Sequence, residues 1–352
     1  YQGQLSEYGT DIQRETSKSA RKLLSYSYTN ASKTSDMLDN HSKLVEELKV
    51  LHPSKKRDVE SIVEEAKEYV KSGNNIIPFG FFPLDAPAGG MTRKEVTVIG
   101  GRPGHGKTTI IINIIRCLIE QEFKVMLFNR EMSNAEMMKK FIVMESDGLS
   151  YESIRKGNLS DDMTGEFDKT ADLISKKYQR DLIMYDDVRT LNEAMIEISR
   201  YKPDVIIDDY IQLIDMASHN ESQRRHEIER IMYEYKWICK KENSSAILIS
   251  QMSREIERRQ DPRPRMSDYA ESGVIEQTVE AALFLFYGYN FDDQEYDKYE
   301  TEIIAAKTRY GRIGKCTLGF NGNRCRFYEY RDDAANDKPK FKEKVTPWMQ
   351  NV

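Results

Sequence analysis

The chain has 352 residues, with 53 lysines and arginines against 58 aspartates and glutamates and a net charge of −5. That length allows one large α/β domain of about 250 residues plus an appendage. The charge excludes a globally basic nucleic-acid binder, but not a local basic channel, because the field inside a cleft matters more than the total.

Residues 1–56 are polar and rich in Ser, Lys and Glu, and are expected to form an N-terminal helical segment. The spacing predicts a helix from about Arg57 to Lys71, where Val59, Ile62, Val63, Ala66, Tyr69 and Val70 form one apolar stripe. Ser72-Gly73-Asn74-Asn75 stops it, so 57–75 reads as a linker helix and linker. A single striped helix has no core of its own. It must dock on the chain's main domain or on a neighbouring subunit.

From Ile76 the pattern becomes strand–helix alternation. Apolar runs stand at Glu95–Ile99, Lys124–Phe128, Leu182–Tyr185, Val205–Ile207, Ala246–Ser250, Ala282–Phe286 and Ile303–Ala306. Continuous apolar runs are expected where helices cover both faces of a parallel sheet. Lys315–Phe320 and Arg324–Tyr330, joined by Asn321-Gly322-Asn323, predict a closing antiparallel hairpin. The fold class is α/β: a P-loop domain over 76–330 with a mainly parallel sheet. The tail, 331–352, with alternating charge and two prolines, reads as a mobile extension.

The most specific motif is Gly101-Arg102-Pro103-Gly104-His105-Gly106-Lys107-Thr108, followed by Thr109 and a helix-like run to Ile119. Glycines let backbone N–H groups converge on phosphate oxygens, and the helix N-terminus adds partial positive charge. Lys107 is expected at the β/γ-phosphates and the Thr108 hydroxyl on Mg²⁺, the partner of a nucleoside triphosphate. Val205-Ile206-Ile207-Asp208-Asp209 is an apolar strand ending in acids, the Walker B pattern. Spacing alone leaves open which aspartate faces the metal. Glu131 stands on a strand-to-helix turn, before the capping box Ser133 and Glu136. It suits either a water-activating base or an acid complementing the helix dipole. Gln251 ends a strand, where it can sense the γ-phosphate or cap the strand. Lys307 and Arg309, two residues apart, read as one face of a strand, as an arginine finger or as charges guarding an edge.

The four cysteines, Cys117, Cys239, Cys316 and Cys325, form no C-x-x-C pair and no zinc spacing, and read as reduced cytosolic thiols. No apolar run reaches the roughly 18 residues that span a bilayer, so no membrane partner is expected. Two loops carry cations suited to nucleic-acid phosphates. One, about Met216 to His226, holds Arg224 and Arg225; the other, Ser253 to Gly273, holds Arg254, Arg258, Arg259, Arg263 and Arg265. Few aromatics stand there, so sequence-tolerant, salt-dependent backbone recognition is expected rather than base stacking.

Together these segments resemble the DnaB-type replicative DNA helicases, whose motor is a RecA-like domain in a hexameric ring. The likeness runs from Ile76-Ile77-Pro78-Phe79-Gly80 to Tyr330 through several ordered motifs. After the P-loop come Arg130-Glu131-Met132-Ser133, Asp209-Tyr210-Ile211-Gln212-Leu213 and Ile249-Ser250-Gln251-Met252-Ser253-Arg254. Then follow Glu271-Ser272-Gly273-Val274-Ile275-Glu276-Gln277 and Ala306-Lys307-Thr308-Arg309-Tyr310-Gly311.

The resemblance implies Glu131 as catalytic base and Asp209 as Mg²⁺ carboxylate. It implies Arg309 as a finger in the next subunit's site, Lys307 beside it, and Gln251 as the link to the DNA loops. It further implies ATP as fuel, 5′–3′ translocation on single-stranded DNA at a replication fork, a homohexamer, primase and loader as partners, and a cytoplasmic setting. The 57–71 helix is similar to the family's linker helix, which packs on a neighbouring motor. Two features depart from the family pattern. Ala270 stands where a basic residue usually precedes Glu-Ser-Gly, leaving Glu271–Gly273 backbone groups or nearby arginines for DNA. Residues 1–56 show no visible match to the family's N-terminal domain. The alternative function is a RecA-like ATPase acting as an assembly, recombination or regulatory switch without unwinding.

Overall fold

The computed structural model describes residues 58–72, 76–157, 159–215, 221–253, 256, 258–269, 272–309 and 311–341. The chain divides into two compact units, Tyr1–Lys71 and Ser72–Val352. Of the first, the described part is helix α1, Val59–Ser72, with Val59, Ile62, Val63 and Val70 exposed.

The second unit opens with a small antiparallel ribbon, β1 (Ile76–Ile77) with β2 (Met91–Thr92), joined through helix α2 (Phe82–Ala88). A nine-stranded sheet follows. Its strands are β3 (Val96–Gly101), β4 (Val125–Asn129), β5 (Leu182–Tyr185), β6 (Val205–Asp209) and β7 (Ser245–Gln251). β8 (Ala281–Phe286), β9 (Glu300–Lys307), β10 (Gly314–Asn321) and β11 (Arg326–Tyr328) complete it. The spatial order is β11-β10-β9-β8-β3-β7-β6-β4-β5, parallel from β8 to β5 and antiparallel from β8 through β9 and β10 to β11.

Two apolar layers cover the sheet. Val125 and Leu127 of β4 and Val205 and Ile207 of β6 face a core built on the isoleucines of helix α3, Lys107–Glu120. Met126, Phe128 and Ile206 face the other core, with Ile228, Ile231, Met232 and Tyr235 of the long helix that starts at Glu221. Strand alternation therefore sends consecutive residues of β4 and β6 to different layers.

The expected closing antiparallel hairpin forms as β10 with β11, but its connection is not Asn321–Asn323 alone. Asn321 ends β10 and its side chain accepts the Arg324 N–H at 3.3 Å, closing a 3₁₀ turn at Gly322–Arg324 before Cys325 takes a left-handed φ of 52°. Nor is the tail mobile from Arg331 onward. A helix at Arg331–Asn336 buries Ala334, Asn321 Nδ2 donates to the carbonyls of Ala334 and Asp337, and Lys340 N donates to Gly148 O at 3.0 Å. Finally, Arg309 lies beyond β9, which ends at Lys307, so the two cations do not share a strand.

Candidate active site

The P-loop joins β3 to α3. Gly104 and Gly106 take φ of 80° and 86°, a region that L side chains rarely adopt, so glycine is required for the turn. A Cβ on Gly106 would also stand 3.2 Å from the Phe327 ring. The loop opens a cavity of about 310 Å³, lined by Gly104, Gly106, Lys107, Thr108, Glu131 and Gln251 among others. Pro103 and Thr109 also line it. Arg102 and His105 turn inward instead: Arg102 donates to Met252 O at 2.9 Å, and His105 Nδ1 accepts the Tyr287 N–H at 3.2 Å. Gly101 gives the strand its close fit beneath Lys107, whose side chain a Cβ would meet at 3.4 Å.

Lys107 Nζ donates to Arg102 O at 3.0 Å. Burial holds its pKa below the usual lysine value, against the pull of Asp209 and Glu131. The alternation of β6 separates the two Walker B aspartates. Asp209 follows Val205 and Ile207 onto the α3 layer, where it accepts the Thr108 hydroxyl at 3.3 Å. Asp208 follows Ile206 onto the opposite layer, where Arg130 pairs with it. Burial, then repulsion from Glu131, raises the Asp209 pKa to about 6.

A divalent cation would relieve that cost. One carboxylate and one hydroxyl, rather than a dense acidic cage, suit an ion that also takes phosphate oxygens, the usual mode for Mg²⁺. Among the described residues no cluster of three or more His, Cys, Asp or Glu offers another metal site.

Glu131 is exposed on the turn between β4 and a helix at Asn134–Glu145. That helix is fixed by the reciprocal bonds of Ser133 and Glu136. Gln251 lies beside Gly101 in register, and its N–H donates to Gln212 Oε1 at 3.2 Å. Gln212 in turn donates to Ser250 Oγ at 2.8 Å.

The sequence reading missed Asn129. It pairs with Asp209 in register, is fully buried, and has no partner for either amide atom. A polar residue on the apolar face Val125-Leu127-Asn129 was the signal for it.

Lys307 and Arg309 stand elsewhere. Lys307 pairs with Ala282 near the start of β8, and Nζ donates to the carbonyls of Glu276 and Val279, both at 2.6 Å. Arg309 lies 3.2 Å from Glu95 and 3.7 Å from Glu280. The run from Glu95 to Gly101 spans about 20 Å of extended chain. The two cations therefore lie at the amino ends of the central parallel strands, the end opposite the P-loop.

A family model described as the DnaB-like helicase C-terminal domain matches residues 77–329. The chain belongs to the DnaB-like helicase family. It is similar to the replicative DNA helicase DnaC of Bacillus subtilis, 28% identical over 88% of this chain and 70% of that protein. It is 30% identical to the replicative DNA helicase DnaB of Buchnera aphidicola subsp. Baizongia pistaciae, over 93% of this chain and 75% of that protein. That alignment reaches into residues 1–56, since the segment is longer than the part of the chain left out.

Two solved structures share the fold at 25% identity. One, described as an ATPase domain, has a TM-score of 0.70 over 78% of this chain and all of that one. A DnaB-like replicative helicase described with its interactions with primase has a TM-score of 0.72, over 90% of this chain and 75% of that one. The chain is thus an ATP-dependent helicase with a RecA-like motor.

The loops of this helicase differ from expectation in detail. A helix runs Glu221–Glu242, so Arg224 and Arg225 lie within it rather than in a loop; their side chains are outside the described residues. Arg254 and Glu271 also lie outside them, while Gly273 is in the first turn of a helix at Ser272–Thr278.

Arg259 and Arg263 are engaged within the chain. Arg259 pairs with Asp268 at 2.7 Å, and Arg263 pairs with Glu302 at 2.6 Å while its guanidinium lies 5.2 Å from the Phe286 ring centroid. These pairs tie both arginines to the chain's own carboxylates, with their side chains still about a third exposed. Arg258 is exposed.

Proposed function

We propose that this helicase hydrolyses ATP with Mg²⁺ in a site shared between two subunits of a ring, and uses it to move 5′–3′ on single-stranded DNA at a replication fork. The observation that carries this reading is the separation of charges: Lys107, Thr108, Glu131 and Asp209 converge at the carboxyl ends of the parallel strands, whereas Lys307 and Arg309 lie at their amino ends. A hydrolase needs a cation for charge developing in the transition state. Arg309 reaches a nucleotide only if a neighbouring chain presents it.

Within one chain, Lys107 and the P-loop amides hold the phosphates. Thr108 and Asp209 hold the metal, which neutralises phosphate charge when bound. Glu131 orients the attacking water and accepts its proton, and Gln251, bonded to Gln212, relays nucleotide state toward the segments on either side. Arg309 from the next chain completes the charge, with Lys307 beside it. The exposed apolar positions of α1 support docking on a neighbouring motor, which would close a homohexamer.

Primase and a loader are proposed partners, the first because a similar structure is described with primase. No helix among the described residues is long and apolar enough to cross a membrane, and a replication role places the chain in the cytoplasm.

ATP turnover measured with and without single-stranded DNA, beside unwinding of a forked duplex, tests the proposal. Stimulation together with strand separation is expected. Turnover without unwinding under assembling conditions would instead favour a nucleotide switch.

A further inference from the structure

Behind the two acids of the site, on the other layer of the sheet, lies a buried ion pair that hydrolysis does not directly use. Arg130, one residue before Glu131, donates through Nε to Asp208 Oδ1 at 2.7 Å and through a terminal nitrogen to Oδ2 at 2.8 Å. Asp208 stands one residue before Asp209. The side chains are 3% and 0% exposed. Tyr235, from the helix at Glu221–Glu242, donates its hydroxyl to the same Asp208 oxygen. The Arg130 N–H also donates to Asp209 O at 2.9 Å.

The third guanidinium nitrogen of Arg130 donates to Val188 O at 2.7 Å and Arg189 O at 3.1 Å. Arg189 O also accepts the N–H of Asp215, just beyond the Walker B strand.

In a Tyr235→Phe background, which leaves no buried hydroxyl without its acceptor, an apolar pair of similar volume would fill this space at little cost in stability, because desolvating two charges offsets most of their attraction. Stability alone therefore does not account for an ion pair here. A two-pronged guanidinium offers fixed geometry, which a methyl group does not.

We propose that Arg130 is a positioning residue for hydrolysis: through Asp208 it locks together the strand ends that carry Glu131 and Asp209. Through Arg189 it ties them to the segment leaving the Walker B strand. This rests on the reading of Glu131 as base and Asp209 as metal carboxylate.

The test uses the full chain under assembling conditions, with the double variant Arg130→Leu/Asp208→Val made in a Tyr235→Phe parent, so that no buried hydroxyl loses its acceptor. The parent's thermal midpoint and affinity for Mg²⁺ with a non-hydrolysable ATP analogue should be kept, the latter within about 3-fold. DNA-stimulated kcat should fall ~10²-fold, the scale of a site displaced by about 1 Å. KM should stay near its parent value. Hydrogen exchange should rise in peptides spanning 129–131 and 209–213 and not in 107–120. Arg130→Lys keeps the charge but not the fork, and should lose about tenfold in kcat; it decides the matter if the double variant does not fold.

A folded double variant with kcat within about twofold of the parent overturns the proposal. Glu131→Gln in the same assay separates the two ideas. If that variant keeps turnover, the base assignment fails, and the exchange data alone judge the lock: faster exchange upholds it and unchanged exchange overturns it.

Discussion

The Thr108 hydroxyl donates to the Asp209 carboxylate across 3.3 Å, joining the first turn of a helix to the end of a strand. Burial and the nearby Glu131 raise the Asp209 pKa to about 6. The folded apo chain therefore holds a proton there more tightly than the unfolded chain does. This group's contribution to apo stability is full below the ordinary aspartate value of 3.8 and is lost as pH rises through about 6.

Metal binding runs the other way, because Mg²⁺ needs the ionised carboxylate. Affinity for Mg²⁺ with a nucleotide analogue should be flat above pH 7 and weaken toward ~10-fold per unit well below pH 6. Calorimetric titration at several pH values checks this, and Asp209→Asn should remove most of the dependence.

The C-terminal strap makes a second expectation. Arg324 is 1% exposed and donates to Ser146 O at 2.7 Å, to Leu149 O and to Asp337 at 3.1 Å. Removing one partner of a buried pair costs roughly 3–5 kcal/mol. Arg324→Ala should lower unfolding free energy by about that amount in a denaturant titration, and deletion from residue 331 onward should destabilise in the same direction.

How much of this was legible in the sequence depended on whether the signal was local. The strand runs, the P-loop and the Ser133–Glu136 capping box depend on near neighbours, and each stands within a few residues of its expected place. The strap was hidden because its polar residues are satisfied by partners far away in sequence, as Arg324 is by Ser146. For the same reason Arg259 and Arg263 resembled free cations: Asp268 and Glu302, which neutralise them, are matched only by folding. Which Walker B aspartate stands beside Thr108 of the P-loop became visible only once β6 had a side. The parity of Asp209 with Val205 and Ile207 then decides it.

The arginine loop gives a contrast that binding can read. Arg258 is exposed, whereas Arg259 and Arg263 are paired within the chain. Arg258→Ala should weaken single-stranded DNA binding at all sequences and reduce the slope of log affinity against log salt by about 0.7, the loss of one phosphate contact. Arg263→Ala should chiefly loosen the loop and lower the thermal midpoint. Fluorescence anisotropy across a salt series, beside thermal melts, separates the two outcomes.

Arg309 is 57% exposed, so its ion pair with Glu95 adds little to stability. Arg309→Ala should leave the melting curve almost unchanged and reduce DNA-stimulated turnover by roughly 10³–10⁵-fold. Glu131→Ala alone should also be inactive. The most direct test of a shared site is ATP turnover in mixtures of these two inactive variants. Mixed rings contain some interfaces with an intact Glu131 on one side and an intact Arg309 on the other, so activity should reappear and peak at intermediate ratios. Rings that form at every ratio yet stay as inactive as either variant alone would contradict a site completed by the neighbouring chain.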